Sequence, residues 1–161
     1  MVIREFSLHT DNTGLLECII SLQDFERKLD PHMSKGADIA EEYKQDLFRS
    51  CEDSNGKILV ADINGDVAGY VLILTKVNSD SIDDNYREFG LIRDLIVLEH
   101  FRGMGVGGKL MQAAEEHAKR ENVKSLRIEV LCANEAAKRI YLSNGFKPYT
   151  LLLEKDLQST D

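Results

Sequence analysis

From His100 to Met111 the chain reads HFRGMGVGGKLM. Four glycines, Gly103, Gly105, Gly107 and Gly108, fall between Arg102 and Lys109. Glycine has no Cβ, so its backbone N–H can come close to an anion, and a helix starting behind such a loop adds the positive end of its dipole. The chemistry is phosphate binding, and three sequence patterns compete for it. Gly103, Gly105 and Gly108 fit G-x-G-x-x-G, but a dinucleotide fingerprint opens an early βαβ unit directly after its strand. Here LEHFR intervenes after the strand, a hairpin pattern precedes it, and only 53 residues follow Gly108. Gly103, Gly108 and Lys109 nearly spell a Walker A loop, yet Leu110 stands where Ser or Thr would hold magnesium.

The third pattern includes the arginine: Arg102-Gly103-Met104-Gly105-Val106-Gly107, followed by Gly108 and Lys109. Further on, after a strand pattern, comes NEAAKRIYLSNGF, with Asn134, Ala137, Tyr141, Gly145 and Phe146 at the spacing N-x-x-A-x-x-x-Y-x-x-x-G-F. Together these two segments resemble the GNAT superfamily of acetyl-CoA-dependent N-acetyltransferases, whose phosphate loop reads Q/R-x-x-G-x-G/A. The resemblance is close from about Lys57 onward and holds only in outline before it.

The resemblance implies acetyl-CoA as co-substrate, its pyrophosphate on the backbone of residues 102–109. It also implies that the pantetheine arm lies along Leu95, Ile96 and Val97, where a backbone N–H would polarise the acetyl carbonyl. Asn134 would help position the coenzyme. Tyr141 matches the family's general acid toward the departing thiolate. A phenol of pKa about 10 facing a thiol of about 8.5 makes full proton transfer uphill by about 2 kcal/mol, so hydrogen-bond donation is its expected role. The acceptor amine also needs a deprotonation route, because an amine of pKa about 10.4 is neutral only about once in 2,500 molecules at pH 7. In the polyamine branch of the family a glutamate precedes the apolar triplet. Arg93 stands there in this chain and cannot serve as a base. Asp94 follows it, and strand alternation predicts that Asp94 points to the opposite face. Glu129, twelve residues before Tyr141, matches the glutamate used by the branch that acts on protein N-termini, and is the expected base, acting through a water; a plain strand carboxylate paired with Arg127 or Lys138 is the competing assignment. A non-catalytic acyl-CoA-binding sensor on the same fold is the alternative to an enzyme.

These residues need elements to hold them. VIREFS alternates as a strand. Helical segments follow over residues 13–29 and 38–51, and then two strands around Asn64-Gly65, a strong hairpin signal. The acidic loop NSDSIDDNYRE leads into FGLIRDLIVL, a strand. A helix behind the glycines runs to about Glu121 with Leu110, Met111, Ala114 and Ala118 on one side and His117 on its surface. SLRIEV is a strand, and residues 135–143 form a short helix capped by Asn134 and closed by Gly145. PYTLLLEKDL reads as a last strand. The order β-α-α-β-β-β-α-β-α-β is an α/β fold with helices on both faces of a mixed sheet, which the resemblance makes a splayed one, in one domain over 1–161.

The totals set limits. A net charge of -8 argues against non-specific nucleic-acid binding. No apolar run is long enough to span a membrane, and the opening residues lack a secretory signal. Cys18, Cys51 and Cys132 have no zinc-type spacing and read as reduced thiols of a cytoplasmic protein, and no histidine pair has metal-ligand spacing, so no metal is expected. Acceptor contacts are expected from Phe25 and Leu29 for packing, and from Asp24, Glu26, Asp30, Asp80, Asp83 and Asp84 toward a cation. That set favours a small cationic amine or a peptide or protein amine. Relatives frequently form homodimers, though no feature of this sequence establishes one.

Overall fold

A computed structural model of the chain describes residues 1–79 and 88–157. Asp80, Asp83 and Asp84 lie outside the described residues. The chain divides into two compact units, Met1–Leu131 and Cys132–Asp161.

The first unit is built on five strands: β1 (Val2–Glu5), β2 (Gly56–Ile63), β3 (Asp66–Asn78), β4 (Glu88–Val97) and β5 (Leu126–Ile128). They lie in chain order across one sheet, antiparallel from β1 to β4, with β4 and β5 parallel. Asn64 and Gly65 both have positive φ, 56° and 94°, as a two-residue hairpin turn with the right twist requires, and Asp62 Oδ1 accepts from the Gly65 N–H at 2.8 Å.

Helices α1 (Leu8–Leu29) and α2 (Gly36–Asp53) bury Leu15, Cys18, Ile19, Ala40 and Leu47 against Ile58, Val60, Tyr70, Leu72 and Ile96 of the sheet. Alternation sends Leu59, Ala61, Val71 and Ile73 to the other face, where helix α3 (Val106–Arg120) covers the sheet with Val106, Leu110, Met111, Ala114 and Ala118, all buried. Covering both faces explains why every residue from Val67 to Thr75 is buried. His117, expected on the helix surface, is buried at 7% exposure, and burial lowers its pKa.

Helix α1 begins at Leu8, five residues before the sequence signal. The Asp11 carboxylate accepts from the Ser7 N–H at 2.8 Å, while Arg4 Nη1 and Nη2 donate to it at 2.6 and 2.9 Å. These bonds anchor an opening turn that is polar apart from the exposed Leu8. Gly14 then falls inside the helix, because a Cβ there would sit 2.6 Å from Val67 Cβ.

The second unit contains helix α4 (Glu135–Ser143). Asn134 Oδ1 accepts from the Ala137 N–H at 3.1 Å and caps its start. At its end Gly145 takes φ 87°, with bonds from the Phe146 N–H to the Tyr141 carbonyl and from the Gly145 N–H to the Leu142 carbonyl, both 3.1 Å. This is a Schellman closure. Its usual apolar contact is the Tyr141–Phe146 pair, whose ring centroids are 6.1 Å apart. The expected last strand is not formed: residues 148–157 make no ladder among the described residues, and Leu151, Leu152 and Leu153 are exposed. An alternating pattern makes a strand only where a neighbouring backbone pairs with it.

Candidate active site

The site is set by where β4 and β5 part. The two strands pair only at Gly90–Leu126, Leu91–Arg127 and Ile92–Ile128. From Arg93 to Val97 the side of β4 that faces away from β3 has no strand beside it among the described residues. The N–H of Leu98 donates to the Ala68 carbonyl at 3.0 Å, which fixes the alternation of this strand. Ile96 therefore turns its backbone groups to β3, while Leu95 and Val97 turn theirs to the open side. Of the three residues nominated from the sequence, two present backbone donors and acceptors to the gap. One of these is used internally, since Arg102 Nε donates to the Val97 carbonyl at 3.1 Å.

A single 3-10 turn, Glu99–Phe101, carries the chain from β4 into the glycine loop. Gly103 and Gly105 have φ of 77° and 78°, values at which an L side chain is strained, and Gly105 caps α3. The first-turn N–H groups, of Val106, Gly107 and Gly108, have no carbonyl one helical turn earlier and point out of the helix start. A Cβ at Gly103, Gly105 or Gly108 would meet nothing within 4 Å, so the approach to these amides is open. Met104, Arg102 and Lys109 are exposed around them. This set of donors fits a pyrophosphate.

At the start of this stretch, Arg93 and Asp94 do not point to opposite faces. Leu72 pairs with Asp94 and Ile73 with Ile92, so Arg93 is the extra residue of a β-bulge. The bulge resets the alternation, and both side chains reach the α2 face. The Arg93 guanidinium binds Ser50 and Asp46 of α2 and lies 5.5 Å over the Tyr43 ring. Asp94, 5% exposed, accepts from Tyr43 Oη at 2.9 Å and from Tyr70 Oη at 2.7 Å. Burial pushes its carboxyl above the ordinary range, against the downward pull of the two phenols. Tyr43 and Tyr70 were not singled out from the sequence. Their signal is faint: polar-tipped residues at positions that the apolar pattern assigns to the core.

The other nominated residues are placed as follows. Glu129 is exposed, just past the end of β5. Arg127 lies over the Phe89 ring at 3.7 Å, and Lys138 pairs with Glu135 at 2.6 Å. Asn134 and Tyr141, both half-buried, belong to the second unit. On the acceptor side, Asp24 accepts from the Gly36 N–H and Asp30 from the His32 N–H, so both serve the turn between α1 and α2. Glu26 is half-buried, and burial followed by the nearby Asp94 raises its pKa. Among the described residues no cluster of His, Cys, Asp and Glu could hold a metal ion, and no helix is long and apolar enough to cross a membrane.

A strand parted from its parallel neighbour, followed by a glycine loop at a helix start, is the arrangement that the resemblance to the acetyltransferases implies. A family model described as the Acetyltransferase (GNAT) family matches residues 21–146, and the chain belongs to that family. Members of it generally use acetyl-CoA. An N-acetyltransferase of Bacillus subtilis named YhfO and called uncharacterized is 30% identical over 99 residues, 62% of this chain and 64% of the relative. Another uncharacterized N-acetyltransferase, from Archaeoglobus fulgidus, is 38% identical over 95 residues, 59% of this chain and 62% of the relative. The chain thus spans less than two thirds of either relative's length. The crystal structure of a variant of the BH1408 protein from Bacillus halodurans has the same fold, with a TM-score of 0.75 at 22% identity over 98% of this chain and 99% of that one.

Proposed function

We propose that the chain is an N-acetyltransferase that moves the acetyl group of acetyl-CoA to a primary amine by direct attack in a ternary complex. The observation that carries this is the open side of β4, with backbone donors at Leu95 and Val97, followed by a glycine loop that leaves the amides of Val106, Gly107 and Gly108 open to approach. The loop, with Arg102 and Lys109, holds the pyrophosphate. Each amide or dipole contact contributes only about 0.3–1 kcal/mol when exposed, so several act together. A backbone N–H of β4 polarises the acetyl carbonyl. Tyr141 donates to the departing thiolate, and Asn134 supports the coenzyme through the helix it caps. Glu129 is the carboxylate that the sequence pattern offers as a base acting through water. The whole chain serves as one acetyltransferase domain. The acceptor is a small cationic amine or a peptide or protein amine.

The test is thiol release from acetyl-CoA across spermidine, an aminoglycoside, lysine and short peptides, with Tyr141→Phe run beside the wild type. Turnover with one acceptor, reduced about ten- to a hundred-fold in the variant with coenzyme binding intact, supports the reading. Coenzyme binding without turnover on any acceptor would favour a binding module instead. Failure to bind coenzyme A would sink both.

A further inference from the structure

We propose that Asp94, reached through the hydroxyl of Tyr43, takes up the proton that the acceptor amine must lose before it attacks; this role rests on the acetyltransferase reading above. Both oxygens of the Asp94 carboxylate accept from phenols, Oδ1 from Tyr43 and Oδ2 from Tyr70. Tyr70 is fully buried at 0% exposure, whereas Tyr43 is half-buried. Of the two partners, only Tyr43 keeps exposed surface. Asp94 also stands next to Leu95, whose backbone groups face the open side of β4.

The surrounding charges leave Asp94 available. Arg93, its neighbour on β4, is committed to Asp46 and Ser50 of α2, and no ion pair reaches Asp94 among the described residues. The groups that face the cluster are Tyr43 and Asp46 from α2, Glu26 from α1, Tyr70 from β3 and Arg93 from β4, with Cys18 of α1 beside Tyr70. Burial raises the proton affinity of Asp94 and outweighs the opposing pull of the two phenols and of the Arg93 charge beside it. Glu129, the base that the sequence pattern offers, is exposed, and the relay gives the proton to Asp94 in its place.

The transfer balances as a relay. The ammonium N–H bond breaks as its proton joins Tyr43 Oη, while the original Tyr43 O–H bond breaks and that proton joins Asp94 Oδ1. Tyr70 goes on donating to Oδ2. An ammonium and a carboxylate become a neutral amine and a neutral acid, so no net charge is added to the buried cluster. The amine nitrogen then bonds to the acetyl carbon as the carbon–sulfur bond breaks, and its second proton ends on the departing coenzyme thiolate. Asp94 later returns its proton to water by the reverse route through Tyr43.

Buried polar networks also fix packing, and a packing role predicts a different pH dependence. The experiment follows kcat/KM from pH 6.5 to 9.5, with spermidine and a lysine-containing peptide as acceptors, for wild type, Tyr43→Phe, Asp94→Asn and Tyr70→Phe. Melting temperatures confirm that each variant folds. With the relay, the wild-type profile is nearly flat over this range. Tyr43→Phe, limited to amine that is already neutral, falls about a hundred-fold at pH 7 and recovers about ten-fold per pH unit. Asp94→Asn follows the same slope, and Tyr70→Phe runs parallel to wild type. If Tyr43→Phe fails to fold, the slope of Asp94→Asn decides. Parallel profiles for Tyr43→Phe and Asp94→Asn at every pH would overturn the relay while leaving the acetyltransferase in place. No wild-type turnover at any pH would remove both.

Discussion

Arg102 Nε donates to the carbonyl of Val97 across 3.1 Å, tying the first residue of the glycine loop to the last residue of β4. The bond sets the loop's position relative to the strand edge. Arg102→Ala is expected to weaken coenzyme A binding by about 1 kcal/mol, a roughly five-fold rise in Kd, through lost charge and a looser loop. Because Arg102 is exposed, the melting temperature should move by no more than about 2 °C. Titration calorimetry with coenzyme A measures the first quantity, and an unchanged Kd would remove Arg102 from the phosphate site.

Gly105 and Gly108 are expected to respond oppositely in stability and alike in binding. Gly105→Ala forces φ 78° on an L side chain, at a cost of about 1–2 kcal/mol. Gly108 sits in the first turn of α3 with open space at its Cβ, so Gly108→Ala gains up to about 1 kcal/mol of helix propensity. Melting temperatures should fall for the first and rise for the second by a few degrees. Both should lose coenzyme affinity, because a methyl group stands where the pyrophosphate approaches. A Gly108→Ala protein that binds coenzyme A as tightly as wild type would displace the phosphate from these amides.

The buried Asp11 makes acid a specific stress on the start of α1. Arg4, then the Ser7 N–H and Thr10, hold its carboxyl at a pKa of about 2, below its unfolded value of about 3.9. A depressed carboxylate stabilises the fold above the unfolded pKa, and that stability is lost as pH falls toward about 2. The amount is about 2 kcal/mol at neutral pH. Urea midpoints of wild type and Asp11→Asn should differ at pH 7 and converge between about pH 4 and 2. A gap that stays constant through that window would contradict the assignment.

Gly145→Ala tests the closure of α4. Its φ of 87° should cost alanine about 1–2 kcal/mol and loosen the bonds that hold Phe146 over Tyr141. If Tyr141 is the donor to the thiolate, the variant's kcat should drop along with its thermal stability. Full kcat with reduced stability would detach the closure from the chemistry.

What the sequence made legible follows from how local each signal is. Asn64-Gly65, the apolar side of α3 and both caps of α4 each depend on residues within a few positions, and all are present as expected. The start of α1 was missed because its anchor, Arg4, comes from β1 and acts on Asp11 across the turn. The face of Asp94 was missed because period-two alternation holds only in an unbroken strand, and the bulge at Arg93 is set by the register with β3. Tyr43 and Tyr70 meet at Asp94 from sequence positions 51 and 24 residues away. No window of local sequence contains that convergence.

The order of strands across the sheet, each laid beside its predecessor, also bears on synthesis. Once the first 97 residues have left the ribosome, β1 to β4 and both covering helices of one face are available to assemble. The outer edge of β4 must then wait for the chain through residue 128 before its short partner arrives. During that interval Leu91 and Ile92 lie on an unpaired backbone edge, the kind of surface on which nascent chains cross-pair. The late arrival of β5 thus leaves a growing polypeptide with a vulnerable moment, and slowed translation over residues 98–128 would be the condition under which aggregation rises.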